Sequence, residues 1–158
     1  MKIEDFAVTT PVFKLEEFFH GKLKGWGTTL SRFGAFENRF TIDAEGIYDP
    51  KAHTLALKEV YRFDDGHTDT LIWTIIKRSD ADYEGRESLI EGLAQGSQAG
   101  SAFNWKYTRA VPAKDGSKTS FGFTDWFWLI EPTVMAAHAS LTKLGIEVAR
   151  LSAFYQKI

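Results

Sequence analysis

Cysteine is absent from the 158 residues, which excludes thiol catalysis, cysteine-ligated metals and a disulfide framework. Charge of either sign is not in excess. Nineteen Lys and Arg against 21 Asp and Glu leave a net −2 at pH 7, with a pI near 6.1. That balance gives no electrostatic ground for a nucleic-acid partner or an anionic membrane surface. No apolar run approaches the roughly 18 residues of a membrane-spanning helix. The opening "MKIEDFAVTTPVF" has no apolar stretch of the kind a signal peptide or lipoprotein leader needs, so the chain as it stands is expected in the cytoplasm. P-loop, dinucleotide-binding and nucleophile-elbow patterns are missing. His20, His53, His67 and His138 fall singly on separate segments without ligand spacing, so neither a metal centre nor a cofactor is expected.

Helical periodicity is scarce as well. Only "PVFKLEEFF" (11–19) reads as a helix, with proline at its start and apolar residues at Val12, Phe13, Leu15, Phe18 and Phe19. It is expected to pack across one end of a sheet. Elsewhere apolar residues alternate at period two. Even positions carry them in 36–48 (Phe36, Phe40, Ile42, Ala44, Tyr48). Odd positions do in 54–63 (Leu55, Leu57, Tyr61, Phe63) and 99–111 (Phe103, Trp105, Tyr107, Val111), and 145–155 shows Ile146, Val148 and Phe154. Turn signals separate these runs, two of them Asp-Gly pairs (Asp65-Gly66, Asp115-Gly116) that predict tight type I′ hairpins. The Gly-rich "SLIEGLAQGSQAGSA" reads as loop or bulged strand, since glycine within a soluble helix is unfavourable. One domain over 1–158 follows, all-β. An antiparallel up-and-down barrel of about eight to ten strands is expected, because a long meander needs its edges closed.

Aromatic residues, at 15% of the chain, are the compositional outlier. Rings favour strands and line sites for apolar ligands. They concentrate in "FGFTDWFWLIE" (121–131), where alternation turns Phe121, Phe123, Asp125, Phe127 and Leu129 inward. Trp126, Trp128 and Ile130 then lie on an outer face too apolar for open water, to be covered by a partner subunit or by the N-terminal helix. Glu59 and Asp125 each sit on the apolar face of a strand. There they must find a cation or hydrogen bonds, or hold a proton. Arg32 and Lys143 are the expected cations, with Asp125 paired to one of them. In "VMAAHASLTK", His138 shares a face with Val134 and Ala136 that could point inward.

Several stretches taken together resemble a bacterial family of uncharacterised proteins, domain-of-unknown-function family 3833. They are "FFHGKLKGWGTTLSRFG", "RFTIDAEG", "TLALKEVYRFDDG", "YEGRESLIEGLAQGSQAGSAFNWKY", "TDWFWL" and "TKLGIEVARLSAFY". The resemblance implies a lipocalin-like shape and no established activity; many members carry a lipoprotein leader. It marks Trp26, Gly27, Arg32, Glu59, Asp65, Gly66, Trp73, Tyr107, Asp125, Trp126, Lys143 and Gly145. Ser31, Thr124, Ala137, His138 and Arg150 depart from its pattern, so any shared charged constellation is thinner in this chain. Trp26 in "KGWGT" is similar to the tryptophan that plugs one end of lipocalin-like barrels.

The candidate cavity residues are therefore Trp26, Arg32, Glu59, Trp73, Trp105, Tyr107, Asp125, His138 and Lys143, with no catalytic residue assigned. Three functions stay open. They are a barrel binding a small apolar or amphipathic molecule, an enzyme using a cavity carboxylate or His138, and a barrel filled by its own rings.

Overall fold

The computed structural model describes all 158 residues. A 3-10 turn, Ile3–Phe6, and a single helical turn, α1 (Leu15–Phe18), precede ten strands. These are β1 (Gly21–Ser31), β2 (Phe36–Asp49), β3 (Thr54–Phe63), β4 (Thr68–Lys77), β5 (Asp82–Arg86), β6 (Ala94–Ala99), β7 (Ala102–Pro112), β8 (Lys118–Glu131), β9 (Val134–Lys143) and β10 (Ile146–Lys157). Each strand pairs antiparallel with its chain neighbour, and β10 pairs with β1 to close the barrel. Closure leaves no whole strand as an edge to template another chain. No helix is long and apolar enough to cross a membrane.

Alternation puts the inner face where the sequence predicts it on β2, β3, β7 and β8. On β10 it does not. A bulge between Glu147 and Ala149 shifts the register, so Ala149, Ala153 and Tyr155 are buried while Ile146 and Phe154 are exposed. The Gly-rich segment forms strand β6, with an irregular loop before it. Gly96 faces inward there, and a Cβ would stand 2.6 Å from the Phe103 ring. The glycine makes room for rings on the neighbouring strand.

The two Asp-Gly turns form hairpins, but not of type I′. In each, glycine alone has positive φ (Gly66 +92°, Gly116 +85°). The loops hold three residues, closed by Phe63 N–H to His67 O and Ala113 N–H to Ser117 O, the form in which a type I turn ends in a left-handed residue. Asp65 and Asp115 each accept the backbone N–H two residues on, which holds their turns in this form. Type I′ geometry falls at Leu144-Gly145 instead, with φ of 52° and 77°.

The floor of the barrel is closed from within the chain. The helix expected over 11–19 shrinks to one turn. Pro11–Lys14 stay outside it, which lets Phe13 N–H donate to Gly100 O at 2.8 Å. Phe13, Leu15, Phe18 and Phe19 are all buried, the Phe13 and Phe19 rings meeting Phe103, Phe127 and Tyr155 at tilted or edge-on angles. Two polar anchors hold the plug. Glu16 takes Lys77 Nζ and the Tyr83 hydroxyl, both at 2.6 Å. Lys157 Nζ donates to the carbonyls of Glu17, Phe18 and His20, a cation at a helical C-terminus.

Candidate functional site

Above the floor the barrel is hollow. A cavity of about 410 Å³, lined mainly by apolar side chains, runs toward the end formed by the β1–β2, β3–β4, β7–β8 and β9–β10 hairpins. The rings therefore do not fill the interior. The volume lies within the roughly 300–1,000 Å³ typical of small-molecule sites. Trp73 and Trp105 stack at 5.8 Å on one wall, and Tyr107 stacks on Phe123 at 4.9 Å above them.

Two carboxyls sit among these rings. Glu59 on β3 is 7% exposed, and its Oε2 accepts the Tyr155 hydroxyl at 3.0 Å. Tyr155 in turn meets the Tyr61 hydroxyl at 3.2 Å. Burial pushes the Glu59 carboxyl up to about 7, against the opposing pull of Tyr155, the Trp73 indole and the Arg109 charge. Asp125 on β8 is 8% exposed, and its Oδ2 accepts the Tyr107 hydroxyl at 2.8 Å. Burial also raises it to about 7, opposed by Tyr107 and aided by the Glu59 charge. Its Oδ1 has no partner. The only other buried side-chain oxygen without one is Asn38 Oδ1, and Asn38 lines the same cavity.

A third polar group was not legible as such. Arg109 on β7 is 2% exposed. It donates from Nη1 and Nη2 to Asp69 at 2.6 and 3.0 Å, and from Nε to Glu87 at 2.5 Å. Burial raises the Glu87 carboxyl, but the Arg109 and Ser88 hydrogen bonds outweigh it and hold the group below its ordinary range. The signal was parity: Arg109 continues the inward series Phe103, Trp105, Tyr107, and Asp69 continues Leu71, Trp73, Ile75.

Of the nine candidates, the structure brings together Glu59, Trp73, Trp105, Tyr107 and Asp125 inside the cavity. Three lie elsewhere. Trp26 is 46% exposed on the outer face beside Phe154. The bulk-free Gly25 and Gly27 take the inner face instead, packed under Ile42 and Phe40, and the plug is the Phe13–Phe19 segment. Arg32 is exposed in the β1–β2 turn over the Phe33 ring, and Lys143 is exposed at the end of β9. Neither reaches Asp125, so the expected ion pair gives way to a tyrosine hydrogen bond. His138 borders the cavity, but its register with Trp126 turns its side chain outward. Outside, Phe6 covers Trp126 at 5.8 Å, and Trp128 stacks on Trp126 at 6.2 Å. Of the two covers expected, a partner subunit or the N-terminal helix, the N-terminal segment supplies one for Trp126, through the Ile3–Phe6 turn rather than the helix.

A closed antiparallel barrel, plugged at one end and hollow above, defines a lipocalin-like protein. The chain belongs to the DUF3833 family, described as protein of unknown function, whose model matches residues 1–157. No curated protein matches it. Among solved structures it is similar to a protein of unknown function from the DUF3598 family of Nostoc punctiforme PCC 73102. That one is 13% identical with a TM-score of 0.66, and the match covers 94% of this chain and 51% of the other. The chain spans about half the length of that protein. It is also similar to the S-type phycobiliprotein lyase of Guillardia theta, at 9% identity, a TM-score of 0.61 and 90% coverage of each chain. At such identities the likeness is one of fold.

Proposed function

We propose that this barrel binds one small apolar or amphipathic molecule in its interior and does not transform it. The observation that supports the reading is the hollow itself, with buried polar groups converging on otherwise apolar walls. Titration with the neutral dye Nile red, followed by quenching of Trp73 and Trp105, is expected to saturate at one dye per chain. Ala139 is buried on the cavity wall, and Ala139→Phe fills the space. Binding that survives this change in a folded variant would defeat the interior reading. Native mass spectrometry before and after denaturation checks for a molecule retained from the host.

A second reading is favoured by one observation, the two carboxyls raised to about 7, which suits an acid and a base of an enzyme. Recovery of the retained molecule unchanged after long incubation argues against it. A homodimer through β8 has only Trp128 and the 55% exposed Ile130 to use, Trp126 being covered. Sedimentation at micromolar concentration tests it.

A further inference from the structure

We propose that the molecule taken up carries a positive charge at its polar end, a protonated amine on an apolar or aromatic body. This rests on the interior-binding reading and names the class of ligand.

The acceptor comes first. Asp125 is 8% exposed and lines the cavity, with one oxygen held by Tyr107 and the other bare. A buried polar atom without a partner is expensive, and the partner a carboxylate oxygen lacks is a donor. Glu59, in the same cavity, supplies a second acidic group.

The interior also offers an anion no unpaired permanent cation. Arg109 is the one permanently cationic side chain in the lining, and its Nε, Nη1 and Nη2 are all given to Glu87 and Asp69. Four buried carboxyls, those of Glu59, Asp69, Glu87 and Asp125, thus face one guanidinium. A fatty acid's carboxylate would meet like charge with no free cation. An ammonium group meets acceptors, and the faces of Trp73, Trp105 and Tyr107 favour it further.

A proton leaves when such a ligand binds. Below about 7 the Asp125 carboxyl holds its own proton, which an incoming ammonium must displace. The titratable groups around it are Glu59 on β3 and Tyr107 on β7, with Tyr61 on β3 and Tyr155 on β10 beyond. The three tyrosines are held neutral by burial. Amine affinity is therefore expected to fall as pH drops from 8 to 6.

The test compares phenylbutylamine, phenylbutanol and phenylbutyrate, which share one skeleton, by tryptophan fluorescence at pH 8. The amine is expected to bind at least about tenfold more tightly than the alcohol, with the acid weakest. Asp125→Asn is expected to erase the amine's advantage and leave alcohol binding in place, in a variant shown folded by near-ultraviolet circular dichroism. Equal binding of amine and alcohol, or preference for the acid, overturns the inference and leaves interior binding standing. If none of the three binds, the inference fails, and interior binding fails with it only where Nile red does not bind either. The parent protein carries the test without any variant, since the amine-to-alcohol ratio at pH 8 alone decides it.

Discussion

Asp125 is held by the Tyr107 hydroxyl on one oxygen and by nothing on the other, and burial raises it from 3.8 to about 7. A carboxyl whose folded pKa is raised favours folding below its unfolded value and loses that contribution as pH rises through the folded one. At pH 8 it is ionised at full cost, roughly 4 kcal/mol at most. Asparagine keeps an acceptor for Tyr107 and cannot ionise. Asp125→Asn should therefore melt higher than the parent at pH 8, by about 1–3 kcal/mol once the amide's own unmet hydrogen bonds are counted. At pH 4 the two should agree. A lower melting temperature at pH 8 would contradict this account. Arg109 behaves in the opposite way, because it satisfies two acids. Arg109→Met strands Asp69 and Glu87 in a dry wall and should cost about 3–5 kcal/mol. Urea unfolding measures it, and adding Asp69→Asn should restore part of the loss.

Between strands, the plug depends on one close approach. Gly46 on β2 lies under the Phe19 carbonyl, and a Cβ there would stand 1.9 Å from that oxygen. Backbone cannot yield as a side-chain tip does. Gly46→Ala should thus push the Phe13–Phe19 segment off the floor at a cost of about 3 kcal/mol, with proteolysis near residues 10–20 as its readout. Elements of this kind set the limit on what could be read from the chain. Glu59, Trp105, Tyr107 and Asp125 were placed inside because their strands alternate cleanly over eight or more residues. Trp26 faces outward although its place in "KGWGT" resembles that of a plugging tryptophan, because its glycine neighbours face in, under side chains that β2 supplies. His138 was ambiguous because alanines flank it on both faces of β9. Arg109 had the right parity, but its partners lie on β4 and in the loop after β5, and no local pattern joins those. The β10 face inverted because a bulge leaves no mark on alternation.

For the whole molecule, two sets of carboxyls oppose each other. Glu59 and Asp125, both raised to about 7, favour folding at low pH and withdraw that contribution as pH rises from about 4 to 7. Glu16 and Glu87 are held below their ordinary range. Burial raises each, but Lys77 and Tyr83 for the first and Arg109 and Ser88 for the second prevail. Their contribution is present above the ordinary carboxylate pKa and is lost in acid. Stability should peak near pH 4–5, around the ordinary carboxylate pKa, and decline by a few kcal/mol by about pH 7, levelling off above it. Thermal melts across that range check the shape. The double variant Glu59→Gln with Asp125→Asn should flatten the alkaline side and leave the acid side alone. A profile that rises steadily to pH 8 would sink this assignment.

The seam between β1 and β10, from the Leu23–Lys157 pair to the Ser31–Ala149 pair, has a consequence for synthesis. A ribosome delivers β1 first and its second neighbour only after the other nine strands. Until then the nascent sheet carries two open edges, one of them β1 with its Trp26-bearing outer face. Loop closure across the whole domain is the slow step for such topologies, and an unpaired edge invites intermolecular pairing. The growing chain is thus exposed to aggregation for the time that translation takes, and the finished ring, in which every strand has a partner on both sides, is far less so.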